Sequence, residues 1–406
     1  MSWEKVKLGD ICEITSSKRI FYSEYVDEGV PFYRSKEIIE LSDGNAISEP
    51  LYISEHRYEE IKQKFGIPVE EDILLTSVGS IGIPYMVSSK DKFYFKDGNL
   101  TWFRKYKDCI SPQYLLYWLK SDAGYQVLNN LALGSAQRAL TIAKLKNIEV
   151  PCPDLSTQKR IASILSAYDD LIEVNRKQIK LLEEAAERLY REWFIDLRFP
   201  GHETATFNAD GLPEGWRKEN IGNSFDLYLG GTPSRDNSNF WDNGTIPWIN
   251  SGAVNKSRII EGNELITELA LEKSATKLLP KHCTLVAITG ATLGQVSYNE
   301  IETCANQSVV AIKEKSNVYD EYMFHFVKHN IEGIINKANG SAQQHINKGI
   351  LEEYMIILPD VKIIKEYHNR AKLFDQGIFN LMLQSKQAAE ARDLLLPRLM
   401  NGEIQL

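Results

Sequence analysis

The sequence predicts an α+β protein: two mixed α/β domains joined by two long antiparallel coiled-coil helices, arranged as a pseudo-twofold dumbbell. Three observations lead there. The tetrapeptide Gly-Ser-Ala-Gln occurs at 134–137 and again at 340–343, 206 residues apart, and a Pro-Asp pair (Pro153-Asp154, Pro359-Asp360) lies 19 residues after each glycine. A helical pattern of about 40 residues follows each pair. The roughly 150 residues before each pattern hold short β-type runs punctuated by Gly, Pro and Asn, with a few helices between them. A chain of 406 residues also exceeds what one hydrophobic core accommodates.

The repeat extends along the chain. Trp3-Glu-Lys-Val-Lys-Leu-Gly-Asp returns as Trp216-Arg-Lys-Glu-Asn-Ile-Gly-Asn, and Val30-Pro-Phe-Tyr-Arg-Ser as Ile246-Pro-Trp-Ile-Asn-Ser. Asp72-Ile-Leu-Leu-Thr-Ser-Val-Gly returns, after a one-residue slip, as Cys283-Thr-Leu-Val-Ala-Ile-Thr-Gly. Tyr114-Leu-Leu-Tyr-Trp-Leu-Lys and Tyr322-Met-Phe-His-Phe-Val-Lys are both short amphipathic helices. Offsets stay between 206 and 216, so the two halves share one order of elements. The predicted segments are 1–155, 156–200, 201–360 and 361–406.

Each long helix carries a seam of period 3.5. In the first it runs through Leu165, Tyr168, Ile172, Asn175, Ile179, Leu182, Ala186, Leu189 and Trp193. In the second it runs through Ile364, Tyr367, Ala371, Phe374, Ile378, Leu381, Ser385, Ala388 and Leu395, with Arg392 intruding. At 1.5 Å per residue such a helix is roughly 60 Å long, too long for one small core. Two of them can bury their seams on each other. Ser156 or Thr157 is the expected N-cap of the first, Asn175 is a candidate for setting register, and Pro397 is expected to end or kink the second. Paired domains of this symmetry match a duplex that carries two half-sites.

Composition is that of an ordinary globular protein, with 43% apolar and 25% charged residues. No apolar run reaches the length of a membrane span, and Met1-Ser-Trp-Glu-Lys has no signal-peptide pattern. Cys12, Cys109, Cys152, Cys283 and Cys304 are scattered without a Cys-x-x-Cys pair, which fits reduced thiols in cytoplasm and neither a disulfide framework nor zinc. Net charge is −8. Residues 1–150 hold 19 basic and 21 acidic side chains, and residues 201–355 hold 13 and 19. Neither domain is basic, so any contact with nucleic acid must use local clusters or surfaces supplied by partners.

Catalytic patterns are missing from the sequence. His325 and His329 stand four apart without a matching third ligand, and there is no Walker A sequence. The glycines around Gly230-Gly231 and Gly79–Gly82 open no dinucleotide-binding unit, and no methyltransferase motif occurs. The Pro-Asp aspartates lack a nuclease partner and precede helices, where acidic residues favour the dipole. No catalytic residue and no metal ligand is therefore assigned.

The pattern resembles the type I restriction–modification specificity subunits over essentially the full length. The carriers are Gly230-Gly-Thr-Pro-Ser, Ile246-Pro-Trp, Thr289-Gly-Ala-Thr-Leu-Gly, Asn306-Gln307 and Gly340-Ser-Ala-Gln. To them are added the helix Ser166-Ala-Tyr-Asp-Asp-Leu-Ile-Glu-Val-Asn-Arg ending in Trp193-Phe194, and Leu395-Leu-Pro-Arg-Leu-Met-Asn-Gly-Glu-Ile. The first half departs from it, carrying Thr15-Ser-Ser-Lys-Arg in place of the glycine loop. The resemblance implies two target recognition domains, each reading half of a split sequence on double-stranded DNA. It also implies helices that dock two methyltransferase (modification) subunits, joined by restriction/translocase subunits, with no membrane involved. S-adenosylmethionine, ATP and Mg2+ would then belong to those partners, and the chain itself would be non-catalytic.

Small and polar loop residues allow close approach to phosphate, while Arg, Lys, Asn, Gln, Ser and Thr read base edges. On that chemistry the expected DNA-contact residues of the first half are Lys18, Arg19, Arg34, Ser35, Lys36, Thr76, Ser77, Gln137 and Arg138. Those of the second are Thr232, Ser234, Arg235, Asn250, Ser251, Thr289, Thr292, Gln343 and Gln344. Trp241 and Trp248 are expected in the core, since a duplex offers no free base faces. Two other readings share the pattern: a specificity chain serving a fused restriction–methylation enzyme, and a coiled-coil scaffold whose end domains bind protein.

Overall fold

The computed structural model of the chain mixes helix and sheet, and the structure describes residues 3–133, 138–314, 316–338 and 345–406. In the first copy the strands are β1 (Lys5–Lys7), β2 (Glu13–Thr15), β3 (Tyr25–Val26), β4 (Val30–Tyr33), β5 (Leu51–Ile53), β6 (Ile73–Thr76), β7 (Pro84–Met86), β8 (Tyr94–Phe95), β9 (Leu100–Arg104) and β10 (Glu149–Pro151). They form sheets ordered β2-β9-β6-β7, β3-β5-β4-β8 and β1-β10. In the second copy they are β11 (Arg217–Asn220), β12 (Phe225–Leu229), β13 (Ile246–Ile249), β14 (Arg258–Ile259), β15 (Glu264–Ile266), β16 (Cys283–Ala287), β17 (Val296–Asn299), β18 (Cys304–Ala305), β19 (Val309–Glu314) and β20 (Met355–Leu358). Their sheets run β12-β19-β16-β17-β14, β15-β13-β18 and β11-β20. The order is the same twice, except that the second main sheet gains β14 and the second small sheet lacks a counterpart of β3.

Backbone detail repeats as well. Left-handed residues recur at Glu71 and His282, at Lys105 and Asn317, at Gly79 and Gly290, and at Gly82 and Gly294. Thr141 and Asn347 cap matching short helices, each side-chain oxygen accepting the amide three residues on. Gly9 and Gly222 make the same close approach: a Cβ would stand 2.9 Å from Lys146 Cβ in the first and 3.1 Å from Glu352 Cβ in the second. The central strands β6 and β16 are covered on both faces: Ile73, Leu74 and Leu75 of β6 and all five residues of β16 are buried.

Long helices span Leu155–Tyr190 and Val361–Met400. Every predicted seam residue is buried or half-buried. By compactness the chain divides into one unit of 1–174 with 385–406 and another of 175–384, so each unit takes part of both helices. Within the first, Ile161, Ala162 and Leu165 share a core with Leu396, Leu399 and Met400. The intruding Arg392 ion-pairs with Asp169, which also accepts from the Tyr117 hydroxyl at 2.7 Å. Within the second, Asn175 is buried and its Nδ2 lies 3.5 Å from the Leu381 carbonyl oxygen, Leu182 lies against Gly377, and Trp193 rests on Tyr367. Pairings of 175 with 381, 182 with 377 and 193 with 367 make the helices antiparallel there.

Two expectations about the helix ends change. Asp154, one residue before the helix, is the cap: its carboxylate accepts from the Thr157 amide at 2.9 Å and from the Thr157 hydroxyl at 2.7 Å. Asp360 does the same for the Lys362 amide at 2.8 Å. The repeated aspartates thus start helices, in place of Ser156 or Thr157. The second helix continues past Pro397 to Met400, because proline removes only one amide donor so close to the end. The first closes in a π-turn, Arg191–Ile195, that buries Trp193 and Phe194.

The two copies are seated on the helices differently. In the first, the buried Gln158 amide accepts from the Ser111 amide at 2.8 Å and donates to the carbonyls of Cys109 and Pro153. In the second, Arg258 of β14 is buried with Glu300, at 2.7 Å, and with Asp375 of the helix, over the Tyr298 ring. No helix among the described residues is long and apolar enough to cross a membrane.

Candidate nucleic-acid interface

In each copy, loops far apart in sequence meet at one turn. In the first it is residues 97–99, between β8 and β9. The Asn99 carbonyl accepts from the Ser77 amide at 2.8 Å and from Ser35 Oγ at 3.4 Å. The Leu100 carbonyl accepts from Ser16 Oγ at 3.3 Å. The Leu140 amide donates to the Ser77 carbonyl at 2.9 Å, which brings the chain after Gln137 to the same place. The second copy builds the junction on residues 306–308. There the Gly231 amide reaches the Ala305 carbonyl at 2.7 Å, the Asn306 amide the Ile249 carbonyl at 3.0 Å, and the Ile288 amide the Ser308 carbonyl at 2.9 Å. The Ile346 amide donates to the Ile288 carbonyl at 3.0 Å, the counterpart of Leu140 and Ser77.

The glycine loop belongs to this junction. A Cβ at Gly230 would stand 2.1 Å from the Asn306 carbonyl oxygen, so only glycine lets the loop come this close. The first copy spans the same gap with the Ser16 hydroxyl. The side chains that bridge the two loops also differ. Thr232 Oγ1 donates to Gln307 Oε1 at 2.7 Å in the second copy, whereas Arg19 Nε donates to Asp97 at 2.8 Å in the first.

Of the expected contact residues, Lys18, Arg19, Lys36, Arg138, Thr232, Ser234, Arg235 and Asn250 are exposed, and Arg34, Ser35, Ser251, Thr289 and Thr292 are half-buried. Thr76 and Ser77 are buried, contrary to the expectation of a surface pair. They close the β6 turn internally: Thr76 Oγ1 accepts from the Ile83 amide at 2.9 Å, and Ser77 Oγ shares a hydrogen bond with Thr101 at 2.7 Å. Gln137, Gln343 and Gln344 lie outside the described residues. Trp248 is buried, as expected of a core residue, and Trp241 is half-buried. Arg138 is hydrogen-bonded to Asn129.

The basic residues around the junction are already engaged. Arg19 pairs with Asp97, Lys36 with Glu49 at 2.9 Å, Arg34 with the buried Glu37, and Lys18 sits over the Phe65 ring. Arg235 is the most constrained. Its two terminal nitrogens each donate to one oxygen of Glu264 at 2.7 Å, and its Cζ lies 3.7 Å from the Trp241 ring centre and 5.0 Å from that of Trp248. The hydrogen bond from Arg235 holds the Glu264 carboxyl below the ordinary glutamate range. Trp241 Nε1 in turn donates to the Ser234 carbonyl at 3.0 Å, which fixes the loop around the arginine. Asp97, Glu264 and Gln307 were missed as site residues. Superposing the repeat on itself finds Asp97 and Gln307 at once, because both sit on the shared turn; Glu264 had no signal beyond an exposed acidic residue.

Such a surface offers planar donors and short polar side chains on a rigid frame, which suits base edges and phosphates. Residues 1–184 and 213–390 match the family described as the type I restriction modification DNA specificity domain. The chain belongs to that family. Among similar proteins is the type I restriction enzyme MjaIX specificity subunit of Methanocaldococcus jannaschii, 28% identical, with 100% of this chain and 94% of that one covered. The EcoR124I/EcoR124II specificity subunit of Escherichia coli is 24% identical over 70% of each chain. The crystal structure of the S subunit from M. genitalium covers 98% of this chain and 96% of its own at a TM-score of 0.63, with 16% identity, and so shares the fold. The chain is thus a DNA specificity subunit of the type I restriction–modification class.

Proposed function

We propose that this specificity subunit reads a bipartite, asymmetric target on double-stranded DNA, one half-site with each repeat. The observation that carries the reading is the duplicated junction: one backbone frame built twice, with different side chains on its loops. The same frame implies the same approach to DNA, and different side chains imply different bases. The interface consists of the loops around residues 16–19, 34–36 and 97–99 in the first copy, and 230–236, 249–251, 289–292 and 306–308 in the second, together with the two Gly-Ser-Ala-Gln segments. Thr76 and Ser77 support it from inside. Half-sites on one face of a duplex lie roughly 34 Å apart per helical turn, which leaves about 5–8 unread base pairs between them.

The long helices dock two methyltransferase subunits, and restriction/translocase subunits complete the assembly. S-adenosylmethionine, ATP and Mg2+ bind those partners, and the chain works in the cytoplasm without chemistry of its own. The partners enclose much of the DNA, which reconciles the acidic balance with a nucleic-acid ligand.

Sequencing of methylated bases in the host genome tests the reading. A split motif is expected. Exchange of residues 201–355 for those of a relative should change one half of the motif and leave the other intact. A continuous motif, or a change in both halves, overturns the two-reader arrangement.

A further inference from the structure

Arg235 already has the geometry of a base reader, with its ligand position taken by the protein itself. The two Glu264 oxygens lie in front of the guanidinium fork at 2.7 Å each, and Trp241 stacks on the guanidinium face. Two coplanar acceptors in front of an arginine fork are also what guanine presents through O6 and N7 in the major groove. Glu264 belongs to the same patch as the expected readers. It opens β15 opposite Trp248 of β13, and the neighbouring Asn263 accepts from the Asn250 amide at 3.2 Å. Both partners are about half exposed, with side chains 51% and 42% accessible, so a duplex can reach the pair.

We propose that Glu264 is a built-in competitor in the second domain, which a base edge with two coplanar acceptors displaces from the Arg235 fork and which thereby sets the threshold for binding there. A base offering one acceptor leaves the second N–H without its partner, so the exchange runs back to the carboxylate. A phosphate also carries two oxygens but has no fixed place in the plane that Trp241 imposes. The acid thereby sets a threshold that only a base making both hydrogen bonds to Arg235 repays, while Arg235 supplies the contact. The first domain has a weaker version: Arg19 reaches Asp97 through Nε alone, at 2.8 Å. The inference rests on the proposed two-reader function.

The test uses the full chain assembled with its modification subunits and a duplex library randomised in the second half-site. Wild-type complex should select a defined sequence there; if it selects none, the two-reader function fails, not the role of Glu264. In Glu264→Gln, cognate binding should rise about tenfold, because the base no longer has to displace a carboxylate, while binding to duplexes with a wrong pair opposite Arg235, which gain at most one hydrogen bond, should rise by less than about threefold. Glu264→Asp, which keeps the charge but shortens the reach, should be intermediate, and Asp97→Asn should leave the second half-site unchanged. A rise that is even across all sequences would mean a phosphate contact and overturns the proposal. So does an unchanged preference in both Glu264 variants with melting temperatures equal to wild type.

Discussion

Asp169 and Asp375 occupy the same repeat position, 206 residues apart, and do different work. Asp169 binds Tyr117 and Arg392, both on helices, so it ties helix to helix. Asp375 binds Arg258 of β14, the strand that the first main sheet lacks, so it ties helix to sheet. Nearby, the neutral Gln158 of the first unit is replaced by Ile364, and seating passes to the buried Arg258 with Glu300 and Asp375. Duplication preserved the backbone and let the polar fastenings diverge. A fold can therefore be copied faithfully while its two halves respond differently to substitution and to pH.

The largest test of this contrast is Arg258→Ala. It leaves Glu300 and Asp375 buried without their cation and should cost about 3–5 kcal/mol. Native-state hydrogen exchange should show the loss in residues 175–384 and not in residues 3–133. A matched loss in both would mean that the fastening is not specific to the second unit.

Gly9→Ala and Gly222→Ala probe the opposite side of the comparison, where the copies agree. Each added methyl enters a contact near 3 Å, against Lys146 or Glu352, and should cost about 1–2 kcal/mol. Equal costs in thermal unfolding are expected; a gap of more than about 1 kcal/mol would show that the shared frame is not equally tight.

A subtler difference is in pH. Burial pushes Asp320 and Glu300 up to about 7 and Asp375 to about 6, although Lys313 and Arg258 pull the other way. In the unfolded chain such carboxyls titrate near 4. Between those values the folded second unit holds protons that the unfolded chain has released, so its stability should fall as pH rises from about 4 to 7. The same reasoning weakens the Arg258→Ala effect at the acid end, where the stranded carboxyls are neutral. The first unit has Asp72, raised by burial, and should show the shallower slope. Hydrogen exchange across this pH range checks both, and Asp375→Asn should flatten the second slope.

Much of the architecture was legible in the sequence because it is written in patterns of small period. The seams of both helices, the order of the repeat and the loop–strand–helix succession come from local spacing, and all recur in the structure. The candidate surface was legible in outline, since Arg19, Arg235, Asn250 and Thr232 are exposed. Thr76 and Ser77 were misplaced because a polar pair at a strand end looks solvated, whereas here Ile83 and Thr101 fold over it. Arg258 and Asp375 are 117 residues apart, and no spacing rule links them. Glu264 shows the same limit: its charge is visible in the sequence, but its partner is set only by the way β15 lies beside β13.

The first unit is not a continuous stretch of chain, since residues 385–406 complete it. During synthesis, residues 175–384 emerge as one unbroken piece, while Ile161, Ala162 and Leu165 wait for Leu396, Leu399 and Met400. The earlier-made of the two units is thus the later to be sealed, and a chain ending at residue 384 would leave it without Leu396, Leu399 and Met400.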